Sequence, residues 1–139
     1  MSGAYHKGEP IRVERGCTVD TVRMMADVRV RDYDGAIEAL SRVVRLVEEA
    51  HPGVLAWDCY FDESGEHMTW FQEHVNQWTL LEYENAVKDL GMLEELVRSL
   101  DIERLLVLGR VTDPGLLEFF RRFPAVPVER TLGVSRQVE

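Results

Sequence analysis

Seven apolar residues recur at steps of three and four along one segment, and no other feature of the sequence restricts the fold as strongly. They are Leu80, Tyr83, Val87, Leu90, Leu93, Val97 and Leu100. This spacing places them on one face of a helix that starts at Asn76. Gly91 interrupts the row and predicts a kink or a division into two helices. Such a face must pack on an apolar surface that another part of the chain supplies.

Strand-like segments supply that surface. Residues 21–30 alternate between apolar and polar side chains, which predicts a half-buried strand. Segments 54–61 and 67–74 are rich in aromatic and β-branched residues, and the loop between them contains Ser64 and Gly65, so they predict a β-hairpin. Residues 104–111 predict a buried strand and residues 126–136 a final one.

Two further helices are predicted between the strands. The first has an apolar stripe, begins near Asp32 or Asp34, and ends at the sequence His51-Pro52-Gly53. Its stripe consists of Tyr33, Ile37, Leu40, Val44 and Val47. The second is short and starts at Asp113-Pro114, an N-cap followed by the residue favoured in a first helical turn.

The resulting order is βαββα followed by a βαβ-like extension. It predicts an α+β fold of the ferredoxin-like, dimeric α/β-barrel type, with an antiparallel sheet and with helices on one face. The uncovered face of the sheet predicts a homodimer. Residues 1–20 are expected to form an N-terminal arm or edge strand, and residues 21–139 a single domain.

Charge and cysteine content restrict the class of partner. The net charge of -9 opposes binding to nucleic acid or to an anionic membrane surface. No apolar run has the length of a membrane helix, and the first residues lack the pattern of a signal peptide. Cys17 and Cys59 have no metal-binding or disulfide-framework spacing. These features predict a cytoplasmic protein without a metal site.

Several short motifs resemble the antibiotic-biosynthesis-monooxygenase family of dimeric α/β barrels. Gly53 followed by VLAWDCY resembles the family's entry into an aromatic strand, and WFQEHVNQWTLLEYENAV resembles its strand ending in glutamate and the helix after it. Glu73 matches the family's glutamate. Tyr83 stands where many members carry a histidine. The segments LVLGRVTDPGLLEFFRRF and TLGVSR resemble the closing part of longer members.

The resemblance implies a monooxygenase-like protein that needs no cofactor and acts on a small aromatic substrate of the quinol or polyketide type. A deprotonated quinol supplies its own electrons to oxygen, so the protein need only shield the substrate and place a base. Some relatives bind haem, but their Asn, Trp and His constellation is not found as a set in this sequence. The expected partners are a small aromatic or apolar ligand and a second copy of the chain.

The candidate catalytic residues are Tyr83, His74 and Glu73. Tyr83 lies on the helical row and points either into a ligand cavity or into an ordinary core. His74 shares a strand face with Met68, Trp70 and Gln72, where it acts as a proton acceptor or serves a structural role. Glu73 lies on the other face and is either a chemical group or the partner of an arginine.

Three tryptophans, Trp57, Trp70 and Trp78, are candidates for stacking on a flat substrate, the alternative being that they fill a core or an interface. Cys59 is expected to pack rather than react, because no neighbouring motif supplies a base. Two alternatives to an enzyme stay open. One is a ligand-binding or dimerisation module of the same fold, and the other is an interaction protein that uses the N-terminal arm.

Overall fold

The computed structural model describes residues 11–12, 20–128 and 135–136. The strands are β1 (Ile11–Arg12), β2 (Val22–Val30), β3 (Val54–Phe61), β4 (His67–His74), β5 (Leu100–Leu108), β6 (Ala125–Val128) and β7 (Ser135–Arg136). The helices are α1 (Tyr33–Ala50), α2 (Gln77–Asp89), α3 (Met92–Ser99) and α4 (Pro114–Phe120). The chain divides into two compact units, and residues 20–128 make up the larger one.

The larger unit is built on a five-stranded sheet with the order β3-β4-β2-β5-β6. The first four strands pair antiparallel, and together with α1, α2 and α3 they give the split βαβ arrangement of ferredoxin-like folds. The predicted α+β, ferredoxin-like fold is confirmed. The sheet is not purely antiparallel, however, because β6 pairs parallel to β5. A parallel partner requires a crossover connection, which α4 supplies.

One face of this sheet carries the core. In β2, every second residue from Val22 to Val30 is buried, as the alternation predicts. In β4, the side chains of Met68, Trp70, Gln72 and His74 are buried on the same pattern. Residues of all four helices join these strands in one apolar cluster, so the helices cover one face of the sheet as expected.

Helix α1 begins and ends where the sequence predicts. The Asp32 carboxylate accepts a hydrogen bond of 3.2 Å from the backbone N–H of Gly35, and His51 follows the last helical residue. The predicted stripe is wrong at Tyr33 and Ile37, which are 49% and 38% exposed. The buried face consists of Ala36, Ala39, Leu40 and Val43. Its two alanines let the helix lie close to its neighbours, which a stripe of larger residues would prevent.

The long helical segment is divided at Gly91, whose φ of 77° lies in the left-handed region. The predicted row holds in α2, where Leu80, Tyr83 and Val87 are buried. It fails at Leu90 and Val97, which are 60% and 44% exposed. A left-handed residue changes the direction of the chain, so the helical phase before it does not continue after it. Leu100 starts β5 instead of closing the helix.

The hairpin β3–β4 forms as predicted, with one change of face. The pairing register shifts between Val54 and Ala56. This irregularity turns Leu55 outward, where it is 56% exposed, although simple alternation groups it with Trp57 and Cys59. Gly53 precedes the strand, and a Cβ at this position would clash with the side chain of Thr79 in α2. The glycine therefore permits close packing between the start of β3 and α2.

The smaller unit is described only at β1 and β7, which pair antiparallel. Most of the predicted arm, 1–20, and the part of the predicted final strand at 129–134 lie outside the described residues. The extent of a single domain over 21–139 therefore stays a prediction. None of the helices in the described ranges combines the length and apolar character needed to cross a bilayer.

Candidate functional site

A cavity of about 430 Å³ lies between the sheet and the helices α2, α3 and α4. Its floor comes from strands β2, β4 and β5, and its walls from the helices and the segment that follows α4. Most of the lining is apolar. The floor residues are Met24, Ala26, Trp70, Gln72, Leu100, Ile102 and Leu105. A cavity of this size and character suits a small, largely apolar ligand.

Tyr83 is the most deeply buried polar residue of this lining, at 2% exposure. Its position on the inner face of α2 brings the hydroxyl to Trp57, whose Nε1–H donates a hydrogen bond of 2.8 Å to it. Burial raises the pKa of Tyr83 well above its ordinary value, and the neighbouring Glu84 carboxyl adds to the increase. Tyr83 therefore keeps its proton near neutral pH and acts as a hydrogen-bond donor or acceptor.

Gln72 and His74 form a hydrogen-bonded pair on the inner face of β4. The distance between His74 Nε2 and Gln72 Oε1 is 2.9 Å. Because an amide oxygen only accepts, this contact assigns the imidazole proton to Nε2. Burial lowers the pKa of His74 to about 4, and the nearby His51 contributes. His74 is thus neutral at physiological pH and holds the amide of Gln72, which lines the cavity, in a fixed orientation.

Two polar groups beside the cavity lack a partner among residues 20–128. The Nε1–H of Trp70 is buried and makes no hydrogen bond. Nothing in this range donates a hydrogen bond to the Glu84 carboxyl or pairs with it, and burial raises the pKa of Glu84 to about 8. The Trp70 nitrogen is closed off from solvent and does not open into the cavity, whereas the Glu84 carboxyl borders the cavity without an ion-pair partner.

The far wall is aromatic. Phe119, Phe120 and Phe123 contribute to it, and their rings contact one another at centroid distances of 5.9 Å and 5.4 Å. Of the two arginines in this segment, Arg121 is solvent-exposed and pairs with Glu118. Arg122 is also exposed but borders the cavity. Flat aromatic surfaces favour a flat ligand.

The structure brings together some of the predicted site residues and separates others. Tyr83 and Trp70 line the cavity, while Trp57 and His74 lie directly behind this lining. The rings of Trp57 and Trp70 meet edge to face at 5.3 Å, and those of His74 and Tyr83 are also 5.3 Å apart. Four of the six candidates thus form one connected cluster.

Glu73 and Trp78 lie elsewhere. Glu73 is on the opposite face of the sheet, where its carboxylate pairs with Arg23 of β2 at 3.0 Å. This is the cross-strand arginine pairing that the sequence offers as the alternative to a chemical role. Trp78 is in the first turn of α2 and is 56% exposed, so it does not contact the cavity.

Sequence reasoning missed Gln72 as a site residue and did not consider Glu84 at all. Glu84 follows Tyr83 directly, so on a helix it lies at the flank of the apolar row. Sequence position alone cannot show whether a flanking residue meets solvent or a cavity. The aromatic wall was missed because its residues follow Tyr83 by more than thirty positions. Among the described residues no cluster of three or more histidine, cysteine or acidic side chains has the geometry to hold a metal ion.

Known structures share this fold. No sequence model of a known family matches the chain, and neither does any curated protein. MupZ from Pseudomonas fluorescens is similar in structure, with a TM-score of 0.60 and 16% identity over 87% of this chain and 94% of MupZ. SnoaB, a cofactor-independent oxygenase from Streptomyces nogalater, has a TM-score of 0.56 and 12% identity over 68% of this chain and 98% of SnoaB.

A protein of Caulobacter crescentus, provisionally named an antibiotic biosynthesis monooxygenase, is similar at a TM-score of 0.55. It is 11% identical over 67% of this chain and 92% of its own length. At these identities the similarity establishes the fold. The chain therefore has the fold of the antibiotic-biosynthesis-monooxygenase structures, as the motifs in its sequence predict.

Proposed function

We propose that the protein is a cofactor-independent monooxygenase that oxidises a small aromatic substrate of the quinol or polyketide type. The observation that carries this proposal is the cavity between α2 and the sheet, which combines an aromatic wall with the polar side chains of Tyr83, Gln72 and Glu84. A solid core would have favoured a binding or dimerisation module without chemistry. The shared fold with SnoaB, a cofactor-independent oxygenase, supports the same conclusion.

The chemistry requires little from the protein beyond shielding and positioning. An anthrone, for example, loses a proton from its methylene carbon to give an aromatic enolate, which donates electrons to dioxygen. One oxygen atom becomes the new carbonyl of an anthraquinone and the other leaves as water, so the methylene group supplies all four electrons. A largely apolar cavity favours this course because it limits the access of water to the reactive carbanion.

Tyr83 and Gln72 are the residues that we assign to the substrate oxygens. Tyr83 keeps its proton, and Trp57 fixes the position of its hydroxyl. His74 positions Gln72 through the bond of 2.9 Å and, being neutral, adds no charge to the cavity. Trp70 and the aromatic wall provide the surfaces on which the substrate rings stack. Glu73 has no part in this cavity, since it faces the other side of the sheet.

The experiment measures oxygen consumption with a panel of anthrones and hydroquinones, corrected for spontaneous oxidation. Leu93 of α3 lines the cavity, so Leu93→Trp places a large side chain in it. Leu117 of α4 is 38% exposed and does not line the cavity, so Leu117→Trp is the matched control. We expect uptake with wild type and with the control, and a loss of about tenfold or more with Leu93→Trp. No uptake above background on any substrate would contradict the oxygenase function and favour a binding module.

We also propose that the protein is a homodimer whose copies meet through the uncovered sheet face. That face exposes Met25, Leu55 and Tyr60 at 41%, 56% and 62%, which is apolar surface that none of the helices α1 to α4 covers. The Arg23–Glu73 pair lies on the same face and offers charges of both signs to a two-fold partner. Light scattering should give twice the monomer mass, and Met25→Glu should reduce it to the monomer value.

We place the protein in the cytoplasm. The support comes from Cys59, a free thiol on the inner side of β3 that packs against the apolar core. Free buried thiols are usual in reducing compartments. Co-fractionation of a tagged chain with a cytoplasmic marker tests this placement, and recovery in a secreted or membrane fraction would contradict it.

A further inference from the structure

Arg122 borders the cavity with a charge that the lining leaves without a partner. It lies between α4 and β6, in the segment that also forms the aromatic wall. Its side chain is exposed and makes no hydrogen bond or ion pair with the residues that the structure describes. A ligand that fills the cavity brings its outer end within reach of this guanidinium, which can bind an anionic oxygen group there.

The neighbouring Arg121 shows a different arrangement in the same segment. Its guanidinium lies 2.6 Å from the carboxylate of Glu118, three residues earlier, and it does not line the cavity. The two consecutive arginines are both exposed, but one has its charge compensated on the helix surface. Only Arg122 combines a position at the cavity with an uncompensated charge.

The other charged groups of the lining do not neutralise Arg122. Arg31 donates a hydrogen bond of 2.8 Å to the carbonyl of Val97 and lies 3.6 Å from Asp101, so these two charges compensate each other. Burial raises the pKa of Glu84 to about 8, so this carboxyl is largely protonated near neutral pH. The lining therefore has an excess positive charge, although the whole chain has a net charge of -9.

The aromatic wall determines what the ligand carries besides its charge. Phe119 and Phe120 precede Arg122 and Phe123 follows it, so the same short segment supplies the phenyl rings and the guanidinium. A flat apolar ring system packs against such a wall inside the cavity. An acidic group on that ring system stays at the border beside Arg122, where it keeps part of its hydration.

We propose that the cavity selects an aromatic carboxylic acid, with its rings against the aromatic wall and its carboxylate bound by the Arg122 guanidinium. This inference rests on the proposed oxygenase function and deepens it, since it narrows the substrate class to quinols or polyketides that carry an acidic group. A guanidinium binds a carboxylate through two parallel N–H···O hydrogen bonds. Arg122 thus determines specificity and takes no part in the oxidation itself.

The test compares two probes of the same shape, anthracene-2-carboxylate and the neutral anthracene-2-carboxamide. Their affinities are measured by fluorescence titration at about pH 6.5, where the aryl carboxylic acid is ionised. We expect wild type to bind the carboxylate about fivefold more tightly than the carboxamide. This preference should shrink at about 1 M salt, because salt screens the charge of an exposed arginine.

Arg122→Gln should remove the preference. We expect it to bind the carboxylate about fivefold more weakly than wild type and the carboxamide within about twofold, and unchanged carboxamide binding also shows that the variant is folded. Arg122→Lys keeps the charge but not the two-pronged geometry, so it should retain part of the preference. Arg121→Gln is the matched control, since Arg121 is exposed in the same segment outside the cavity, and it should behave as wild type.

The outcomes distinguish this inference from the oxygenase function. Equal affinity of wild type for the two probes, or binding of neither, overturns the anion site, and oxygen uptake alone then decides the oxygenase function. An equal loss of preference in Arg121→Gln overturns it too, because the effect then comes from surface charge in general. A preference that depends on Arg122, in a protein that oxidises no anthrone or hydroquinone, supports the site and contradicts the oxygenase function.

Discussion

Trp57 Nε1 donates a hydrogen bond of 2.8 Å to the hydroxyl oxygen of Tyr83 and thereby joins the hairpin strand β3 to helix α2. The two residues are 26 positions apart in the chain. Tyr83 is almost fully buried, so its hydroxyl does not regain a water partner if the bond is lost. This contact holds the tyrosine hydroxyl in place beside the cavity.

Tyr83→Phe tests this contact. The change leaves the Trp57 N–H without its acceptor, and we expect a loss of about 1–2 kcal/mol in the free energy of unfolding, measured by urea denaturation. Tyr33 is 49% exposed, so Tyr33→Phe is the control and should change stability by less than about 0.5 kcal/mol. Equal effects of the two substitutions would show that the Trp57–Tyr83 bond contributes nothing measurable.

His74 predicts a loss of stability in mild acid. Its pKa in the folded protein is about 4, below the ordinary value of 6.5, so the unfolded chain binds the proton more tightly. The stabilisation is therefore complete above about pH 6.5 and is lost as the pH falls towards 4. Between pH 7 and pH 5 we expect a loss of about 2 kcal/mol that is absent in His74→Gln.

Wild type and His74→Gln are each compared with their own stability at pH 7, so the fixed cost of the substitution cancels. His67→Gln is the control, because His67 is exposed on the other face of the same strand. A wild-type protein whose loss between pH 7 and pH 5 matches that of His74→Gln would contradict the buried, neutral state of His74.

Glu84 predicts a loss of folding stability as the pH rises, opposite in direction to the effect of His74. Its pKa in the folded protein is about 8, above the ordinary value of 4.5, so the folded chain holds the proton more tightly than the unfolded chain does. Stability is therefore lost as the pH rises towards 8. After allowance for its partial exposure, we expect wild type to lose about 1 kcal/mol more than Glu84→Gln between pH 6 and pH 8. Parallel stability curves for the two proteins would show that Glu84 is well solvated.

Cys59 predicts slow reaction with thiol reagents. Burial raises the pKa of its thiol to about 12, and the charge of Asp58 contributes, so the reactive thiolate is scarce at pH 8. In a Cys17→Ser background, labelling with a disulfide reagent should be at least about tenfold slower in native protein than in urea-unfolded protein. Labelling at the unfolded rate would place Cys59 in a reactive environment.

The backbone conformation of Gly91 predicts which substitutions at this position lower stability most. Its φ of 77° is strained for residues with a side chain, although nothing lies within 4 Å of a Cβ at this position. Gly91→Ala should therefore cost about 1 kcal/mol through backbone strain alone. Gly91→Asn should cost less, because asparagine tolerates this conformation. Equal costs, measured by thermal unfolding, would point to a cause other than backbone conformation.

The strand patterns were predictable because side chains along a strand alternate between the two faces of the sheet. Once one face is known to be buried, the burial of every residue in the strand follows. The alternation from Val22 to Val30 was correct at each residue. Exceptions arose where the backbone departs from regular geometry. The register shift between Val54 and Ala56 turned the side chain of Leu55 to the other face of the sheet, and the left-handed Gly91 ended the helical row early.

The site was only partly predictable for a related reason. Tyr83 was found because it lies within the apolar row, and the inward face of His74 followed from strand alternation. Glu84 lies at the edge of the row, and its surroundings depend on segments distant in sequence, including Phe119 and Phe123. A periodic pattern identifies the face of an element but not a gap between elements. Unpaired polar atoms become visible only after the chain is folded.

The isotopic composition of the product made from an anthrone under isotopically heavy dioxygen tests the proposed monooxygenase most directly. The account predicts that wild type places one heavy oxygen atom in the new carbonyl and releases the other as water, and that Leu93→Trp does so at a rate close to background. Product that forms no faster than in buffer, or that takes its new oxygen from solvent while hydrogen peroxide accumulates, would contradict it.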